Sequence, residues 1–93
     1  MSATVLPIQT IVRDSQVRSG QPILAGTTLR VSDLVAYHLF DGLSPEQLAL
    51  QFELNLAQVH AALSYYYSHR EEIDAEIRSN AEAADRYRSQ LEG

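Results

Sequence analysis

Apolar and polar positions change their period once along this chain, near residue 32. Before that point aliphatic residues stand singly or in pairs among polar ones. Ile8, Ile11 and Val12 surround Gln9 and Thr10, and Val17, Ile23, Leu24, Leu29 and Val31 alternate loosely with polar neighbours. Asp14-Ser15, Gly20 and Gly26 mark turns, and Pro22, which has no backbone donor, suits an edge or the start of a strand. Residues 8–31 are therefore read as a β element of two or three short strands or extended segments. Such strands are marginal alone and must pack on helices or join another sheet.

From Ser32 the spacing is helical. Ser32 is expected to N-cap a helix over 32–41, with Asp33 adding favourable charge to its first turn. Leu34, Val35, His38 and Leu39 form its apolar face, Phe40 flanks it, and Gly42 supplies the left-handed stop. Ser44-Pro45-Glu46-Gln47 opens a helix over 45–53 with a capping box and a proline at the first helical position. Glu53-Leu54-Asn55 breaks it. Asn55 and Gln58 form a second capping box for a helix over 56–70, which turns Val59, Ala62, Leu63 and Tyr66 inward. Helix, tight turn, helix over 44–66 is the pattern of a helix-turn-helix, and also of an ordinary packed helix pair.

Beyond Leu43 the only glycine or proline before Gly93 is Pro45. Val59, Leu63, Tyr66, Ile73, Ile77, Ala84 and Leu91 keep helical spacing, so a single domain over 1–74 is expected to continue into a helical extension over 75–93. The seam thins to alanine after Ile77. A polar helix with a thin seam is either covered by a partner or frayed.

Composition narrows the class. The chain has 93 residues and 10.4 kDa, with 45% hydrophobic and 20% charged residues, which fits one globular domain. A chain this short buries only about 60–65% of its unfolded surface, which favours help from a second copy or another protein. No apolar run approaches membrane-spanning length and no basic, apolar leader opens the chain, so a cytoplasmic protein is expected. The absence of cysteine excludes disulfides, thiolate zinc sites and a cysteine nucleophile.

Charge is uneven. The net charge is −5, all seven cations are arginine, and residues 71–93 hold three arginines against seven acids. An acidic chain is no general nucleic-acid coat; an acidic tail suits a basic partner or plain solubility. His38, His60 and His69 lack metal-ligand spacing, and Glu71, Glu72, Asp74 and Glu76 read as a solvated helix face. There is no triad context, nucleophile elbow or glycine-rich phosphate loop, so a non-enzyme without a cofactor or metal is expected.

In a helix-turn-helix the start of the second helix enters the major groove. Asn55, Gln58 and His60 are its candidate base-reading residues, and Arg13, Arg18 and Arg30 the candidate phosphate contacts, since residues 44–69 hold no arginine or lysine. Successive tyrosines at 65–67 cannot share one helix face, so one is exposed. Tyr67, Ile73, Ile77, Tyr87 and Leu91, rimmed by acids, are the candidate partner-binding residues.

The run Gly20-Gln21-Pro22-Ile23-Leu24-Ala25-Gly26-Thr27-Thr28-Leu29-Arg30-Val31-Ser32-Asp33-Leu34 resembles the "GxPxIxGTRIxVxDIL" stretch of the domain of unknown function 433 family. Leu43-Ser44-Pro45-Glu46-Gln47-Leu48 and Ala57-Gln58-Val59-His60-Ala61-Ala62-Leu63-Ser64-Tyr65-Tyr66 continue the likeness, which covers residues 6–74. It departs at Thr28, where the family has arginine and this chain supplies Arg30 two positions on. It departs again at Ala57-Gln58, where the family has an acidic pair. The resemblance implies a mainly α fold: a homeodomain-like helix-turn-helix with a small N-terminal β element, followed here by a long C-terminal helix. It also implies an antitoxin that neutralises a PIN-like ribonuclease toxin, which the acidic tail would suit if basic, with repression of its own operon by binding operator DNA as a second role. A homodimer is expected, and the competing expectations are a stand-alone dimeric DNA-binding regulator and a structural adaptor module.

Overall fold

Three successive left-handed residues interrupt the N-terminal β element. In the computed structural model, which describes Ala3 and residues 10–92, β1 (Ile11–Val12) pairs antiparallel with β2 (Ile23–Leu24). Ile11 lies opposite Leu24 and Val12 opposite Ile23. Ile8 and Gln9, at the start of the expected β element, lie outside the described residues, as does Gly93. Between the strands Arg18, Ser19 and Gly20 adopt φ of 49°, 58° and 77° around a single 3-10 turn, so the connection cannot extend the ladder. After β2 the turn at Ala25-Gly26 brings Ile23 into a bridge with Arg30, and the Val31 N–H donates to the Pro22 carbonyl at 2.9 Å.

That last bond sets the start of α1 (Val31–Phe40). The helix leaves the β element directly, with Arg30 at the N-cap position and no side-chain cap, so the expectation of Ser32 as cap is corrected. Val31 must enter the core at once, which draws Ser32 into the first turn, where it is 1% exposed. Gly42 takes φ 69° just past the helix end, as its position in the sequence requires.

Both capping boxes are present. The Gln47 and Gln58 N–H groups donate to Ser44 Oγ (3.1 Å) and Asn55 Oδ1 (2.8 Å). The Ser44 and Asn55 N–H groups donate back to Gln47 Oε1 (2.8 Å) and Asn55's partner Gln58 Oε1 (2.9 Å). They open α2 (Pro45–Gln51) and α3 (Leu56–Ser68). α2 ends with Glu53 at φ 55°, and the Leu54 N–H donates to the Ala49 carbonyl at 2.8 Å. Glycine is the usual residue at such a left-handed C′ position. Glu53→Gly is expected to raise stability by about 0.5–1 kcal/mol, because relief of the left-handed strain exceeds the added freedom of the unfolded chain. Urea denaturation checks it.

The third helix does not run through residue 70. His69 (φ −136°, ψ 45°) ends α3, and a separate helix, α4, spans Arg70–Glu92. The turn lets α4 return to α1 and bury Ile73 among Leu24, Leu34, Val35, Val59 and Tyr66. The Tyr66 hydroxyl donates to Asp74 Oδ1 across the break at 2.9 Å, and Arg13 pairs with Glu72. α4 therefore starts at residue 70, and its first half packs on the body. Its second half leaves it: residues 81–92 are all exposed, and the chain measures 65 × 28 × 24 Å. The architecture is mainly α with a small two-stranded antiparallel sheet. Among the described residues no helix is long and apolar enough to cross a membrane.

Candidate functional site

The three candidate phosphate-binding arginines gather against carboxylates. Arg30 donates from Nε and Nη2 to both oxygens of Asp33 at 2.9 and 3.0 Å, and Arg18 approaches the same carboxylate at 3.6 Å. Arg13 pairs with Glu72 and donates to the Gly20 carbonyl (3.1 Å) and the Tyr65 hydroxyl (3.4 Å). Glu76 also faces Arg13 and Arg30. Three guanidinium groups thus pair with two carboxylates and have a third close by, and the field that phosphate attraction needs is largely cancelled.

Glu76 carries a cost in this cluster. Its Oε2 is buried with no hydrogen-bond partner. Burial pushes its carboxyl above the ordinary value of 4.5, against the opposing pull of Arg13 and Arg30. The folded state therefore binds this proton more tightly than the unfolded chain. Its contribution to stability falls as pH rises from 4.5 through the raised folded value. Glu76→Gln is expected to be more stable than the parent at pH 7, with the advantage fading as pH drops below 4.5. Paired thermal melts across that range check it. Burial likewise pushes the Tyr66 hydroxyl up, and its hydrogen bond to Asp74 adds to the effect.

At the start of α3, Asn55 and Gln58 spend their side-chain oxygens on each other's backbone. His60 is exposed on a groove between α3 and β1, lined by Ile11, Ala57, Ala61, Ser64 and Tyr65. None of these three residues is paired with the arginine cluster.

The candidate partner-binding stripe is divided by the fold. Ile73 is fully buried and Ile77 is half-buried against the core, so neither forms an exposed docking residue. Tyr67 is exposed at the α3–α4 break, while Tyr87 and Leu91 are 63% and 69% exposed near the far end of α4. A helix rises about 1.5 Å per residue, which sets Arg70, at the start of α4 beside Tyr67, about 30 Å from Leu91.

Sequence reading did not find two features of this surface. Asn80 Nδ2 donates to Ser32 Oγ (3.1 Å) and Gln21 Oε1 (3.2 Å), and Gln21 Nε2 returns a bond to Asn80 Oδ1 (3.0 Å). This network fastens the middle of α4 to α1 and to the segment that leads into β2. Beside it, Ala36, Phe40, Ile77, Ala81 and Ala84 line a groove between α1 and α4, with Phe40 72% exposed. The helical spacing of Ile77, Ala81 and Ala84 was a signal for one wall; nothing local marked Phe40 as the other. Among the described residues no group of three His, Asp or Glu side chains is arranged to hold a metal ion.

A family model described as "Protein of unknown function (DUF433)" matches residues 11–66. Among solved structures, the chain is similar to a DUF433 member protein from Anabaena variabilis ATCC 29413. The two share 31% sequence identity with a TM-score of 0.70, covering 75% of this chain and 69% of that chain. No curated protein matches.

Proposed function

This chain belongs to the DUF433 family, and on that premise we propose that it is an antitoxin-like, non-enzymatic protein that neutralises a basic PIN-like ribonuclease by direct contact. The partner's identity rests on the family resemblance. The surface rests on one observation: α4 continues for twelve residues past Asn80 with every one of them exposed. An isolated helix this short is marginal in water, and a projecting arm that carries Tyr87 and Leu91 is the form a partner-covered helix takes. The groove between Phe40 and Ala84 extends the same apolar surface to the root of the arm. Glu71 and Glu82 are exposed along α4, and their charge suits a basic protein.

Operator binding draws less support from the same geometry, because Arg13, Arg18 and Arg30 are already matched by carboxylates. A homodimer is the competing use of the arm. In this proposal the protein works in the cytoplasm, beside its nuclease.

The test is co-expression with the product of the neighbouring gene, followed by co-purification and measurement of complex mass. Truncation after Ser68 would remove Ile73 and Asn80 and confound folding with binding, so the informative cut falls after Ala84. That shorter chain is expected to keep its thermal midpoint and to lose the complex. Retention of a full-strength complex would overturn the proposal.

A further inference from the structure

The helix-turn-helix face is apolar and acidic, with no cation on it. From Ser44 to His69 the chain has no lysine or arginine and two glutamates, Glu46 and Glu53. Both border one shallow groove with Ala49, Leu50, Leu54 and Leu56. α2 is only seven residues long and sends Leu48 into the core, which leaves Leu50 on the outer side, 84% exposed. Leu56 is 44% exposed beside it. At the rim Glu53 holds a left-handed backbone that glycine would adopt without strain, so a carboxylate stands there at a conformational cost.

We propose that this face docks a protein segment presenting an apolar side chain ringed by arginine or lysine. Charge complementarity selects that occupant. Phosphates laid across the groove would meet Glu46 and Glu53 with no compensating cation, and the backbone N–H groups of Asn55 and Gln58 are taken by capping. A second copy presenting the same face across a two-fold axis would set these glutamates against their own counterparts. A basic rim around an apolar knob satisfies both the leucines and the carboxylates. The proposal goes beyond the arm-mediated contact and does not depend on it: the two surfaces lie on different elements, and each has its own variants.

The full chain, isotopically labelled, is titrated by NMR with three probes. One is a designed helical peptide of about 16 residues with leucines on one face and arginines around them. The second replaces each arginine by glutamate, and the third is a DNA duplex of mixed sequence. The leucine–arginine peptide is expected to bind, with shifts centred on Leu50, Glu53 and Leu56. Leu50→Asp is expected to weaken it about tenfold or more. The double reversal Glu46→Arg with Glu53→Arg is expected to switch preference to the leucine–glutamate peptide. All three substitutions are at exposed positions, and thermal melts confirm folding. A shift map centred on α4 overturns the proposal, as does an unchanged preference after charge reversal. Duplex binding at this face overturns it in favour of nucleic acid. Self-association abolished by Leu50→Asp overturns it in favour of a second copy.

Discussion

Ile73→Ala is expected to lower the unfolding free energy by about 2–5 kcal/mol, while Leu91→Ala leaves it within about 0.5 kcal/mol of the parent. The two residues lie on the same helix and on the same periodic seam of the sequence. Ile73 is fully enclosed by β2, α1 and α3, whereas Leu91 is 69% exposed on the projecting arm. Removing three carbons from Ile73 forfeits their transfer energy and leaves a cavity where four elements meet. Removing the same kind of group from Leu91 takes it from water to water. Urea titration of both variants checks the contrast. Equal losses would mean that the arm is packed in solution, and equal indifference would mean that α4 does not dock on the body at all.

Asn80→Ala is expected to cost about 1–3 kcal/mol, out of proportion to its half-buried position. Truncation removes a donor to Ser32 Oγ and a reciprocal amide pair with Gln21. The buried Ser32 hydroxyl would keep only the 3.5 Å contact with Gln21 Oε1. The network also marks where α4 parts from the body. Without it, amide exchange should accelerate along α4 beyond Ile77 and remain slow in α3. A double-mutant cycle with Gln21→Ala should show coupling of about 0.5–3 kcal/mol, since the two side chains share their bonds. Additive losses would reduce Asn80 to an ordinary surface residue.

The helix-turn-helix was legible for a local reason. A capping box closes over three residues, so Ser44 with Gln47, and Asn55 with Gln58, carry their own geometry wherever the helices pack. Gly42 is similar: a left-handed residue past a helix end is a backbone requirement that composition displays. The same local rules misplaced Ser32. Its chemistry suits a cap, but the hydrogen bond from Val31 to Pro22 starts the helix one residue earlier and carries the hydroxyl inward. Arg18 and Ser19 gave no sign of their left-handed backbone, because neither residue type is selected for it.

The candidate site divides along the same line. Periodicity alone identified an apolar seam through Ile73, Ile77 and Leu91, and charge alone identified an acidic C-terminal segment. Which part of the seam faces inward depends on the break at His69, where neither glycine nor proline stands. The burial of Ile73 against distant elements stabilises that break, and no window of sequence contains those elements. The neutralisation of Arg13 by Glu72 and the pin between Gln21 and Asn80 each join residues 59 positions apart. By itself, then, the sequence determined the helical content, the capping boxes of α2 and α3, the tight turn and the uneven charge, all set by interactions spanning a few residues. Only the tertiary structure decided where α3 gives way to α4, which arginines are matched and which leucines remain outside. Those outcomes depend on burial and pairing between segments that meet only when the chain has folded.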